Sequence, residues 1–129
     1  EGHEHAIAAL SAEFNFFGAG VGLTARDLHA ERDDWYSELS GGQRSKIEFM
    51  RSIFLRPACP KLLLIDEAFA PLDPTSKQVL QRKLKEACSH SIVLIIYHSD
   101  AGESCVRGND FFDQELHVAN GSAILREIC

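Results

Sequence analysis

Residues Lys61 to Pro74 read KLLLIDEAFAPLDP. Leu62 to Ile65 form a short run that is apolar on both faces, and Asp66 and Glu67 follow it at once. Such a run, lacking the polar alternation of a half-wet strand, is the pattern of a central strand buried on both sides, as in parallel sheets covered by helices. Two carboxylates just past its end stand at the carboxy-terminal edge of the sheet, where open α/β folds bind their ligands. Adjacent residues leaving a strand point in different directions, so the two can carry different tasks. Carboxylates at such an edge suit a hard cation or a base acting on water. A solvated acidic loop is the plain alternative, and the apolar residues directly before the pair weigh against it.

Toward the carboxy terminus, Asp73 followed by Pro74 reads as a helix cap with proline in the first helical position. The stretch SKQVLQRKLKEAC then places Val79, Leu80, Leu84, Ala87 and Cys88 on one helical face. A second apolar strand, SIVLIIYH, runs from Ser91 to His98 and puts His98 at the same sheet edge as the carboxylates. A histidine there is either a structural group satisfied by a nearby carbonyl or a functional one. SDAGESCVRGND is a polar loop, and FDQELHVANGSAILREI predicts a hairpin turning on Asn120-Gly121. Strand, helix, strand and a closing hairpin make the fold class α/β.

Toward the amino terminus, Ile47, Met50, Ile53 and Phe54 recur at helical spacing between Ser45 and Leu55, and Pro57 and Pro60 end that helix. The helix begins in LSGGQ, Leu39 to Gln43, on its two weakest helix formers. Ser40, Gly41 and Gly42 have two readings. One is an ordinary serine-capped start with a flexible lead-in. The other is an anion site, where unpaired N–H groups and the positive end of the helix dipole meet a phosphate that the glycines allow to come close. Further upstream, AIAALSAEFNFF (6–17) predicts a helix, GAGVG (18–22) its terminating turn, and LTARDLHAERDD (23–34) a polar helical or turn segment leading to Trp35. GAGVG is no phosphate loop, since no strand clearly precedes it and no Gly-Lys-Ser/Thr follows. His3 and His5 lie in a terminal segment and are not assigned to a metal.

The chain has 129 residues, the size of one domain or a piece of one, with 45% hydrophobic and 25% charged residues and no apolar run that could cross a bilayer. Its net charge of -6 gives no basic footprint for nucleic acid. Cys59, Cys88, Cys105 and Cys129 are far apart, without a CxxC pair or a signal-like start, and are expected as reduced thiols rather than disulfides or zinc ligands. Glu1, where an initiator methionine would stand, leads us to expect a fragment or processed product.

With these residues in place, LSGGQRSKIEFMR resembles the signature motif of ATP-binding cassette (ABC) ATPases. LLLIDE (62–67) resembles the Walker B strand, APLD (70–73) the D-loop, IYHSD the switch-histidine loop, and the final hairpin the one that follows it in that family. The resemblance covers about residues 35–128, in the family's order of motifs. Trp35 resembles the lead-in of peroxisomal fatty-acyl and bacterial peptide-uptake exporters. The family implies an incomplete P-loop NTPase-like domain, a partial parallel sheet flanked by helices with a carboxy-terminal hairpin. Residues 1–44 would be the end of the helical subdomain leading to the signature, and 45–129 the carboxy-terminal part of the ATPase core.

The resemblance also implies ATP and Mg²⁺ as cofactors, with Asp66 as metal ligand, Glu67 and His98 as catalytic residues, and Asp73 in a D-loop that crosses a dimer interface. Ser40, Gly41, Gly42 and Gln43 would bind the ATP of a second cassette packed head to tail. The further implied partner is a transporter's transmembrane domain, which would place the protein at the cytosolic face of a membrane, with no nucleic acid expected. No GxxxxGK[ST] occurs in the chain, and the family's Q-loop glutamine cannot be placed. Phe69 and Pro71 stand where small residues are usual, and RPACPK lengthens the spacing from signature to Walker B. The leading expectation is the carboxy-terminal portion of a transporter's ATP-binding subunit, inactive by itself. The alternatives are a non-transport ABC ATPase of the DNA-repair, chromosome-maintenance or translation type, and a non-catalytic module completing a partner's site.

Overall fold

Asp73 shows how closely local chemistry sets the framework: its side chain accepts a hydrogen bond from the Ser76 N–H (2.9 Å), Pro74 takes the first helical position, and the helix runs Pro74–Ala87. In the computed structural model, which describes residues 3–97 and 111–128, this helix is α4 in the order α1 (Glu4–Glu13), α2 (Ala25–His29), α3 (Gly41–Phe49), β1 (Leu62–Asp66), α4, β2 (Ile92–Ile96), β3 (Gln114–Ala119) and β4 (Ser122–Glu127). The chain divides into two compact units, Glu1–Tyr97 and His98–Cys129. Among the described residues no helix is long and apolar enough to cross a membrane.

In the first unit β1 and β2 pair in parallel, Leu62 opposite Ile92 through Asp66 opposite Ile96, with α4 as the crossover. The core lies where α4 meets α1 and α3. Leu80 and Leu84 are buried from α4, Phe14 and Phe16 from the turn after α1, and Ile65 from β1. Aromatic rings connect these pieces: Phe14 and Phe54 at 5.3 Å between centroids, Phe49 and Phe69 at 5.1 Å. Phe69, anomalous by its family resemblance, is a buried core residue whose ring is tilted against that of Phe49.

The helix predicted across Ser45–Leu55 forms with a change of pitch. After Phe49 the chain makes a π-helical turn, Met50–Phe54, in which the Leu55 N–H reaches back to the Met50 carbonyl (2.9 Å). One residue wider per turn, it re-aims the end of the apolar stripe, so that Met50 and Ile53 are buried and Phe54 meets Phe14.

The expectation that both faces of the strands are buried is not met. Leu62 (55% exposed), Leu64 (68%) and, in register beside them, Ile92, Leu94 and Ile96 share one open face, while Ile65 on the other face is buried. The elements of this unit cover the sheet on one side only, so the doubly apolar sequence anticipates a layer that these residues do not supply.

The cysteine expectation is corrected as well. Cys59 and Cys88 form a disulfide, with Cα atoms 5.2 Å apart. The segment entering β1 and the end of α4 both lie at the amino-terminal ends of the parallel strands, which brings together residues separated by 29 positions. Cys105 and Cys129 lie outside the described residues.

The second unit is the antiparallel hairpin β3–β4, with Ala119 opposite Ser122. Asn120 (φ 50°) and Gly121 (φ 75°) both take the left-handed conformation, which the two central residues of a type I′ turn require and asparagine and glycine tolerate best.

Candidate functional site

The start of α3 bears out the capped-helix reading of LSGGQ. Ser40 is the N-cap, its hydroxyl accepting from the Gln43 N–H (3.2 Å), while Gln43 Oε1 accepts from the Ser40 N–H (2.9 Å). The Ser-x-x-Gln spacing carries the signal of this reciprocal box, which the reading of Ser40 as a plain cap passed over. The box occupies the third helical N–H, and Arg44 N–H is taken by the Ser40 carbonyl (3.0 Å). The Gly41 and Gly42 N–H groups have no acceptor among the described residues. Two donors at the positive end of a helix dipole therefore stay unused beside the cap, so the capped start does not by itself exclude the anion-site reading.

The glycines also have a packing role. A side chain on Gly42 would place its Cβ 2.9 Å from the Pro71 carbonyl oxygen, and one on Gly41 would meet Pro71 Cβ at 3.2 Å. The helix start thus sits on the turn that leads into α4, and Pro71, odd by its family resemblance, is the surface it rests on.

Asp73 lies two residues beyond that turn. Hydrogen bonds from Ser76, its side chain first and then its backbone N–H, hold the Asp73 carboxyl below the usual carboxylate range, with the Lys46 ammonium adding to the effect. Lys46 Nζ is 3.6 Å from Asp73 Oδ2 and donates to the Asn15 carbonyl at 3.0 Å, and the Lys46 side chain is almost wholly buried. Sequence reasoning missed Lys46. A lysine on the polar side of an amphipathic helix gives no signal of burial until its tertiary partners are known.

Asp66 is the last residue of β1 and its side chain is exposed. Glu67 continues the ladder, its N–H reaching the Ile96 carbonyl at 3.2 Å, and then turns the chain with φ 49°. A non-glycine residue in the left-handed region costs energy and is enriched at functional sites. Among the described residues no group of three or more His, Cys, Asp or Glu could hold a metal alone, so Asp66 would offer one carboxylate ligand. Mg²⁺ accepts such sites, completing its shell with phosphate and water oxygens. His98 lies outside the described residues.

Beside Gln43 lies a cavity of about 250 Å³ lined in part by Phe16, Leu23, Trp35 and Leu39, with Asp27, Arg32 and Glu38 at its polar side. Arg32 and Glu38 are paired at 2.8 Å. Arg44 fixes the lead-in by donating to the Tyr36 and Ser37 carbonyls and lying over the Tyr36 ring.

No protein-family model matches the chain. Among curated proteins it is similar to the lipopolysaccharide export system ATP-binding protein LptB of Acidithiobacillus ferridurans, 37% identical over 100 residues, which is 75% of this chain and 40% of that protein. It is similar to the aliphatic sulfonates import ATP-binding protein SsuB 2 of Paraburkholderia xenovorans, 37% identical over 99 residues, 75% of this chain and 36% of that one. It also matches the multidrug resistance protein homolog 65 of Drosophila melanogaster, 40% identical over 62 residues, 48% of this chain and 4% of that protein. The chain thus spans less than half the length of these curated relatives.

Proposed function

We infer, from the premise that this chain's homologues are ABC transporter ATP-binding proteins, that it is the carboxy-terminal portion of such a subunit and contributes half of a shared ATP site. The observation that carries this reading is the pair of unclaimed N–H groups at Gly41 and Gly42, on a helix whose remaining start is already capped by Ser40 and Gln43. On this reading those donors would meet the γ-phosphate of an ATP held by a second cassette packed head to tail.

In the chain's own site, Asp66 would hold Mg²⁺, and Glu67 would orient a water molecule and take its proton during attack on the γ-phosphorus. Mg²⁺, when bound, neutralises phosphate charge. His98 would contact the γ-phosphate, and Asp73 would cap α4 and reach the cassette interface. On this reading the fold is the later part of a P-loop NTPase domain, with residues 1–44 ending a helical subdomain and 45–129 belonging to the core. Its partners are the second cassette and a transporter's transmembrane domain, at the cytosolic face of the membrane.

The chain contains no GxxxxGK[ST] to anchor its own nucleotide, so the isolated 129 residues should hydrolyse ATP no faster than their Glu67→Gln variant. Clear turnover above that control would refute the division of labour. In the full-length parent, Glu67→Gln should abolish turnover while ATP binding persists.

A further inference from the structure

Three consecutive carbonyls in the turn after α1 each receive a side chain from a different place in the sequence. The Phe14 carbonyl accepts from Ser76 Oγ (3.4 Å), the Asn15 carbonyl from Lys46 Nζ (3.0 Å), and the Phe16 carbonyl from Gln43 Nε2 (3.3 Å). Gln43 and Lys46 are one helical turn apart at the start of α3, and Ser76 is in the first turn of α4. The turn itself is pinned. Asn15 has φ 50°, its side chain accepts from the Gly20 N–H (2.8 Å), and the Phe16 N–H is held by the Ser11 carbonyl (2.9 Å). The two capping residues of the candidate site, Ser40 through Gln43 and Asp73 through Ser76, are therefore anchored to one rigid stretch of backbone.

Lys46 joins the two anchors directly. Its side chain is only 7% exposed, so its ammonium lacks the water that would otherwise solvate it and depends on the Asn15 carbonyl and the Asp73 carboxylate. Asp73, by contrast, is 56% exposed, and Lys46 draws it inward from one oxygen while the other caps α4. An ammonium can satisfy both partners only while α3 and the start of α4 keep their present spacing.

We propose that Lys46 is a positioning residue, which with the Phe14–Phe16 carbonyls fixes the phosphate-facing start of α3 relative to Asp73 before nucleotide arrives. The proposal rests on reading the Gly41–Gly42 amides as phosphate donors and adds what sets their placement. Loss of the ammonium frees the two helix starts to move separately. Arginine, with a longer side chain but the same charge and donors for both partners, retains most of the link.

The structural arm of the test uses ¹⁵N-correlated spectra of this chain, without nucleotide. Lys46→Met should displace the Gln43 and Ser76 amide signals together, since each caps a helix that Lys46 ties, and Lys46→Arg should return both most of the way. Displacement of Gln43 without Ser76, or equal displacement by both variants, overturns the proposal. If Lys46→Met does not fold, Asp73→Asn serves, as it keeps a cap oxygen and removes the charge facing Lys46. Movement of the distant Gln43 signal then supports the link, and its absence refutes it. The functional arm uses the full-length parent, where Lys46→Met should lower kcat for ATP about tenfold with KM changed less than about twofold, and Lys46→Arg should recover most of the loss. An unchanged kcat overturns the positioning role. A wild-type parent that does not hydrolyse ATP would defeat the functional reading, while the spectra still decide whether Lys46 ties the two helices.

Discussion

Replacement of Gly42 by alanine separates two reasons for a glycine at this helix start, close packing on Pro71 and the proposed approach of a phosphate. The added methyl group would lie 2.9 Å from the Pro71 carbonyl oxygen, whereas carbon and carbonyl oxygen sit comfortably at about 3.3 to 3.6 Å. The contact is short by about half an ångström, and the obstacle is backbone, so either α3 or the turn into α4 must shift. Overpacking of this kind costs about 1 to 3 kcal/mol. Against it stands the better helix propensity of alanine, up to about 1 kcal/mol in a helix interior and less at the second helical residue. A net loss of about 1 to 2 kcal/mol remains, which for a chain of this size lowers Tm by about 4 to 8 °C. Gly41→Ala is the matched control. Its methyl would meet the Pro71 side chain at 3.2 Å, which a shift of a few tenths of an ångström relieves, and the propensity gain offsets the rest. Thermal unfolding followed by circular dichroism, without nucleotide, reads the difference. If Gly42→Ala proves as stable as Gly41→Ala, the contact with Pro71 is not what excludes a side chain, and phosphate approach alone accounts for the residue.

Three further outcomes are expected. Asp73→Ala removes the α4 cap and one of the two partners of the buried Lys46 ammonium, and should cost at least about 1 kcal/mol in urea unfolding near neutral pH. Because the folded-state pKa of Asp73 is lowered, its contribution is present above the ordinary value of 3.8 and fades as the pH falls below it, so mutant and wild type should converge in acid. Leu64→Ala should change stability by no more than about 0.5 kcal/mol, since Leu64 lies on the open face, while Ile65→Ala on the covered face should cost about 2 to 4 kcal/mol; equal costs in denaturant titrations would mean that both faces are covered. Reduction of Cys59–Cys88, which closes a span of 29 residues, should lower the unfolding free energy by about 3 to 4 kcal/mol, measured with and without dithiothreitol.

What could be read in the sequence was local. The apolar run at Leu62 announced a strand, Asp73-Pro74 a capped helix and Asn120-Gly121 a hairpin, because each depends on neighbours a few residues away. The features that escaped are tertiary. Cys59 finds Cys88 only because two chain segments enter a parallel sheet side by side, and Lys46 is buried only because the turn after α1 offers it a carbonyl. The π turn at Met50 answers the packing of Phe54 on Phe14, which no periodicity count weighs. The open face of the sheet is the converse case. There the run of apolar residues led to the expectation of two covered faces, whereas Leu62 and Leu64 lie on an open one, because the run by itself does not say which faces are covered. At the candidate site, Ser40 announced the helix start, but nothing in the sequence announced the Pro71 carbonyl beneath Gly42.

The Cys59–Cys88 bond has a consequence for how this chain breaks. Everything from the strand entrance to the end of α4, including the exposed Asp66–Glu67 turn, lies inside the ring that the bond closes. A protease that cuts at that turn would sever the backbone yet release nothing, because both pieces remain fastened at the opposite edge of the sheet. On a gel without reductant the nicked protein would run as one species, and with reductant as two, so cleavage at the site of interest is invisible unless the sulfur bridge is opened first.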